Sequence, residues 1–315
     1  MEIVDLRDSS LDELNTRCGT IISACGYEAR SSALVGKLSS QIRNRTAISF
    51  VEWPDALSRK SNDQQFAQSR FSFEQASGND GTKVGQVLLS AIQSTPDQSA
   101  VAVDISCMTR AWHAGLVRTL RTVEIPRPVE VLFAYVPAQF SNPPGNTSAY
   151  EIVAPAEGFA SLSPPDLPVA TIIGLGYERE KALGLQQLLD PKRTILLTPR
   201  FRSRDDRFYP AVIKSNSDIL ARTSREWQFD YWIDEPQSTF GLLARLVAHL
   251  LPSYRVVLAS LGPKLLGVLC FLVATRFPQV SVWRASSGAH GRPRQSQGDT
   301  SHTIVLSTRW MHRLL

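Results

Sequence analysis

The sequence predicts an α/β protein built from two tandem Rossmann-like units with mostly parallel sheets, related by a pseudo-two-fold internal repeat. The first observation behind this is the tripeptide Gly-Tyr-Glu. It occurs at Gly26-Tyr27-Glu28 and again at Gly176-Tyr177-Glu178, each time just after a short apolar run. The second is that each copy leads into a helical stretch (Ser31–Gln41; Lys181–Leu189) and then another apolar run (Ala47–Trp53; Thr194–Thr198). The third is a later run in each half that ends in a small-residue turn, with a basic residue four places after a serine: Ser106-Cys107-Met108-Thr109-Arg110 and Ser260-Leu261-Gly262-Pro263-Lys264. Short runs alternating with helices, repeated as a block, read as βα units rather than hairpins.

In the first half the expected strands are Thr20–Ala24, Ala47–Trp53, Ala100–Ile105 and Val129–Val136. The expected helices are Ser31–Gln41, Lys83–Gln93 and Trp112–Arg121, the middle one opening at Gly81 and Thr82 and closing before Pro96. Asp55–Asp80 is polar and reads as an exposed helix or a lid. Phe140–Pro168 carries Pro143, Pro144, Pro155, Pro164, Pro165 and Pro168, which exclude regular helix and mark a boundary between units 1–162 and 163–315. The second half repeats the scheme: strand Val169–Leu175, helix Lys181–Leu189, strand Thr194–Thr198, helix Phe240–Leu251, strand Val256–Ser260, helix Leu265–Phe277, strand Val280–Arg284. Ser286–Thr300, rich in Gly, Ser and Arg, reads as a mobile loop, and Ile304–Ser307 as a last strand.

A chain of 315 residues, 43% hydrophobic and 20% charged, can bury two cores and does not read as disordered. A formal charge of +5 permits an anionic partner without requiring one. The four cysteines, Cys18, Cys25, Cys107 and Cys270, show neither CxxC pairing nor metal-ligand spacing, which suits a reducing cytoplasm and no metal or other cofactor. Met1–Ser10 is acidic and lacks the apolar core of a signal peptide, and Leu265–Ala274 is too short to span a bilayer.

Ligands of open parallel sheets gather outside the strand carboxyl ends, where both repeated motifs fall. Gly26 and Gly176 let the backbone turn close to a ligand, and the helices behind them would present N–H groups suited to phosphate. The plain structural reading of the same loops is a tight turn whose Glu28 and Glu178 support the helix start. Asp104 ends an apolar strand. Ser106 and Thr109 add hydroxyls, Arg110 a fork for phosphate or for Glu28, Trp112 a stacking face and His113 a titratable imidazole. The competing reading has Asp104 capping the helix and Trp112 packed inside. Ser260, Gly262 and Lys264 repeat the serine and the base without the acid. Cys107 with His113 is a conceivable nucleophile and base, in a poor geometry six residues apart. Arg200, Arg202, Arg204 and Arg207, interleaved with Phe201, Phe208 and Tyr209, would suit a nucleotide or nucleic acid, although Asp205 and Asp206 partly neutralise them.

Taken together, Gly26-Tyr27-Glu28, Gly176-Tyr177-Glu178, Ser106–Arg110 and Ser260–Lys264 resemble the CRISPR-associated Rossmann fold and its fused relative, the SAVED domain. The resemblance rests on layout, because only the Thr109-Arg110 pair matches the Gly-Gly-Thr-Lys type of signature. It implies a ligand-sensing or scaffolding subunit of a prokaryotic antiviral defence or signalling system, binding a nucleotide or cyclic oligonucleotide between its two halves. No effector domain is attached, so it implies an effector partner chain as well. Two alternatives stay open: a metal-independent phosphodiesterase using Ser106, Arg110, His113 and Lys264, and an interaction protein with a vestigial cleft.

Overall fold

The computed structural model describes residues 1–142, 151–161, 163–178, 180–203, 206–286 and 293–312. Contacts divide the chain into two compact units, Met1–Gln139 with Arg292–Leu315, and Phe140–Gly291. Both are α/β with mostly parallel sheets.

The first unit runs β1 (Glu2–Ser9), α1 (Leu11–Arg17), β2 (Cys18–Cys25), β3 (Asn44–Phe50), α2 (Arg59–Gln68), β4 (Ser72–Ala76), α3 (Gly81–Ser94), β5 (Ala100–Asp104), α4 (Arg110–Thr122) and β6 (Val129–Tyr135). The second holds β7 (Ile152–Pro155), β8 (Val169–Gly174), α5 (Lys181–Leu189), β9 (Arg193–Arg200), α6 (Phe208–Ser215), α7 (Ser217–Arg222), β10 (Gln228–Trp232), α8 (Pro236–Leu250), β11 (Arg255–Ser260), α9 (Lys264–Arg276) and β12 (Ser281–Ser286). The chain then returns to the first unit as β13 (Ile304–Met311).

Among the described residues the first sheet has the order β1-β13-β6-β5-β2-β3-β4 and the second β7-β12-β11-β8-β9-β10. Strands β4-β3-β2-β5-β6 and β10-β9-β8-β11-β12 are parallel throughout, and each block takes the same path. The chain steps outward from its first parallel strand, then crosses back to that strand's other side. In each sheet one antiparallel strand lies beside the last parallel one, β13 beside β6 and β7 beside β12. The repeat predicted from the sequence therefore extends to strand order and direction.

Three differences from the sequence reading have physical causes. Residues 31–41 do not form an α-helix. Only 3-10 turns at Ala29–Ser32 and Val35–Lys37 form there, because Ser31 and Arg30 are buried and engaged in tying down the preceding loop. The polar stretch Asp55–Asp80 holds the expected exposed helix, α2, and adds the edge strand β4 instead of forming a lid. The last strand, longer than expected, lies in the first sheet between β1 and β6, where Trp310 is fully buried. The units divide after Gln139 and not at 162/163, and the chain from Arg292 onward belongs again to the first unit.

Helices α3 and α4 pack with nearly touching backbones, because Gly81 and Gly115 face one another. A Cβ on Gly115 would lie 1.9 Å from the Gly81 carbonyl oxygen. Local caps fix both starts: Asp80 accepts from the Lys83 N–H at 2.8 Å and Thr109 from the Trp112 N–H at 3.1 Å. Among the described residues no helix is long and apolar enough to cross a membrane. Gly115→Ala is expected to push the two helices apart and cost about 2–3 kcal/mol in urea denaturation. Gly184→Ala in α5, where an added Cβ meets nothing within 4 Å, should stabilise by about 0.5–1 kcal/mol.

Candidate functional site

In both sheets strand order reverses between the first and fourth parallel strands, β2 beside β5 and β8 beside β11. Loops leaving two such strands diverge and open a crevice at their carboxyl ends. Gly26–Glu28 comes after β2 and Ser106–Thr109 after β5. Gly176–Glu178 comes after β8 and Leu261–Pro263 after β11. All four predicted loops thus stand at such reversal points.

Loop Gly26–Glu28 is held from inside. The Gly26 N–H donates to Ser31 Oγ at 2.9 Å, and the Ser31 hydroxyl donates to the Ala24 carbonyl at 2.6 Å. The Asn62 amide, 1% exposed, donates to the carbonyls of both Gly26 and Glu28 at 2.8 Å, while Ser32 donates to its oxygen at 2.9 Å. Glu28 does not support a helix. It pairs at 3.0 Å with buried Arg30. Burial penalises the charged Arg30, but the attraction of Glu28, with Cys107 and Tyr135, outweighs it and holds its pKa above the ordinary value. Tyr27 is pushed up to about 12 by burial and then by Glu28 and Cys107, against Arg294, and so remains a neutral phenol at physiological pH. Cys107 acts on both Arg30 and Tyr27, which brings the loops after β2 and β5 together. The expected helix-start donors are engaged here: Ala29 N–H donates to Gln295 Oε1 at 3.3 Å and Arg30 N–H to the Ser296 carbonyl at 2.9 Å. Residues 293–300 of the expected mobile loop are therefore docked against the site, while 287–292 lie outside the described residues.

On the facing loop, buried Asp104 accepts from the Ser106 N–H at 2.9 Å, which holds the turn after β5 and does not cap α4, whose cap is Thr109. The Ser106 hydroxyl, buried, accepts from the Val136 N–H at 2.8 Å and braces β6. Thr109 donates to the Gly78 carbonyl at 2.7 Å, and Arg110 is the first residue of α4. Trp112 does not offer a stacking face. It is fully buried, stacked on Phe50 at 4.2 Å and 7°, with its indole N–H on the Ser77 carbonyl at 2.8 Å. His113 is also fully buried, which leaves it shut away from any ligand at this face.

The second unit reaches a similar arrangement by backbone contact. A Cβ on Gly176 would lie 2.2 Å from the Leu261 carbonyl oxygen, and one on Gly262 2.2 Å from that of Leu175, so both positions require glycine. Asn216, buried, donates its side-chain amide to the Gly176 carbonyl at 2.7 Å, as Asn62 does to Gly26. Glu178 pairs with Lys181 at 2.7 Å, and the Tyr177 ring packs against Phe208 at 5.6 Å. Lys264 is the first residue of α9, as Arg110 is of α4. The serines are one place out of step: Ser260 pairs with Gly174, whereas Ser23 pairs with Asp104, two residues before Ser106. Ser260 therefore corresponds to Ile105.

The arginine cluster lies at the surface, with most of its described members engaged by neighbours. Arg200 pairs with Asp230 at 3.2 Å and lies over Tyr209 at 4.4 Å. Arg202 pairs with Glu235 at 3.0 Å over Trp232, and Arg207 lies over Phe140 at 5.5 Å. Arg204 and Asp205 lie outside the described residues. Arg200 and Arg202 are thus paired with acidic side chains and three of the arginines lie over aromatic rings, as in a solvated loop that neutralises its own charge.

Sequence reasoning missed Asn62, Asn216 and Arg30. The two asparagines lie 36 and 40 residues beyond the carbonyls they hold, and that unequal spacing hides the match. Among the described residues no three His, Cys, Asp or Glu gather as a metal site would need. No protein-family model matches the chain, and no curated protein matches it in sequence.

Asn62→Ala leaves two loop carbonyls without their donor and should cost about 2–3 kcal/mol in thermal or urea unfolding, with Asn216→Ala destabilising as well. Asp104→Asn keeps the acceptor oxygen for Ser106 and should cost only about 1–2 kcal/mol.

Proposed function

We propose that the protein is a ligand-sensing or scaffolding subunit, of the kind prokaryotic antiviral defence systems employ, which binds a nucleotide-type anion at the carboxyl ends of its Rossmann-like strands. The observation that carries this reading is the shared geometry of the two units. In each, a Gly-Tyr-Glu loop adjoins, at the reversal of strand order, a second loop that leads to a basic residue at the first position of a helix, Arg110 or Lys264. A cationic side chain at a helix N-terminus combines its charge with the backbone dipole, an arrangement that favours phosphate. Tyr27 adds a neutral hydroxyl donor with Arg294 acting on it, whereas the charge of Arg30 is answered by Glu28. The reading rests in addition on the resemblance of the loop motifs in the sequence to the CRISPR-associated Rossmann and SAVED families.

Binding is favoured over catalysis because the candidate nucleophile Ser106 and the candidate base His113 are both buried. Ser106 Oγ accepts from a backbone N–H, and His113 has no exposed surface. In this reading the ligand is a cyclic oligonucleotide, the signal passes to an effector chain, and the setting is the cytoplasm, where four buried thiols stay reduced.

Titration calorimetry with cyclic oligoadenylates of three, four and six nucleotides tests the proposal. Arg110→Ala and Lys264→Ala should each weaken binding by about 1.5–3 kcal/mol, the range for a charge-assisted hydrogen bond, and affinity should fall as salt rises. A double-mutant cycle separates one shared ligand from two independent ones. Full retention of binding in both variants would move the site elsewhere, and appearance of linear products would replace the sensor by an enzyme.

A further inference from the structure

Segment 51–58, between β3 and α2, combines two features that rarely coincide. Val51, Trp53 and Leu57 are 50%, 42% and 54% exposed, the largest cluster of outward apolar side chains close in sequence among the described residues. Trp53 and Leu57 also hold left-handed backbone, with φ of 57° and 48°, which bulky residues seldom adopt. Unfavourable backbone persists only where the surroundings impose it.

Here they do. At one end Glu52 accepts from the Ser77 hydroxyl at 2.6 Å and the Gly78 N–H at 3.1 Å. At the other, the Ser58 N–H donates to the Tyr27 carbonyl at 3.0 Å, and buried Arg59 donates to the Phe50 carbonyl at 2.8 Å. The segment is thus pinned directly to the Gly26–Glu28 loop and presents an indole to solvent beside it.

Resting on the proposed nucleotide site, we infer that Trp53 is its base platform: the planar base of the nucleotide stacks on the exposed indole, flanked by Val51 and Leu57, while the phosphate meets Arg110 at the start of α4, whose cap Thr109 holds the same Gly78 that Glu52 holds. A protein partner fits less well, because three side chains are a small part of the roughly 800 Å² and 20–30 residues that a stable interface needs on each side. Stacking on an exposed aromatic ring is tolerant of base identity and needs no hydrogen bonds from this loop. This role belongs to Trp53 and not to Trp112, whose ring is enclosed against Phe50.

The test uses the left-handed backbone. Glycine accepts that conformation without steric cost, so Trp53→Gly removes the ring while relieving the strain. Equilibrium binding of fluorescent cyclic tetra-adenylate should weaken by about tenfold or more in Trp53→Gly, a loss typical of a stacked base, while Tm stays equal or rises. Trp53→Phe keeps a ring and should stay within about threefold of the wild type. Wild-type affinity in Trp53→Gly would overturn this inference and leave the proposed function standing. No binding of cyclic tri-, tetra- or hexa-adenylate by the wild type would overturn both. Parallel loss of Tm and affinity in both variants would make Trp53 structural. A wild-type dimer that Trp53→Gly dissolves, without change in nucleotide affinity, would make the patch a self-interface.

Discussion

The reversal of strand order at β2 and β5, and again at β8 and β11, is the constraint on which the other features of the molecule depend. A parallel sheet that grows from its middle must send successive loops in opposite directions, and the backbone groups between them lose their sheet partners. Asn62 and Asn216 answer that need, each from the region after the second parallel strand, by supplying a donor to the glycine carbonyl of the first loop. Because these amides are buried and engaged, the loops are held in one conformation before any ligand arrives. A preorganised loop is the condition under which a few charged contacts give useful affinity.

The two units meet this requirement with different materials. The first uses side chains, with Phe50 stacked on Trp112 and Arg30 paired with Glu28. The second uses backbone contact at Gly176 and Gly262, with Tyr177 packed among aromatic rings. What stays common is the part at the strand ends: the Gly-Tyr-Glu loop and a basic residue opening the helix of the facing loop. Packing beneath a surface can change while the chemistry it presents does not.

Much of this architecture was legible in the sequence, for a physical reason. Strands β2, β5, β6, β8 and β11 are buried inside their sheets and read as continuous apolar runs, so their loops could be placed from pattern alone. Edge strands β4 and β10 carry polar residues and left no such trace. The stretch 31–41 reads as helical from composition, but Ser31 bonds back to the end of β2 and Ser32 to Asn62 in α2, tertiary contacts that no periodicity records. Trp112 was placed correctly at the helix start yet offered to a ligand it cannot reach, because the ring that covers it, Phe50, comes from another strand. The return of β13 to the first sheet is a matter of long-range pairing, which local sequence does not encode.

The central claim is that the strand-end loops of both units are the ligand face. Hydrogen–deuterium exchange of the intact protein, with and without saturating cyclic tetra-adenylate, measures this loop by loop. The account predicts slowed exchange at Tyr27–Arg30 and Cys107–Ala111, and at Tyr177 and Leu261–Leu265, with the sheet interior unchanged. Protection confined to other surfaces, or none at ligand concentrations far above those used for binding, would contradict it.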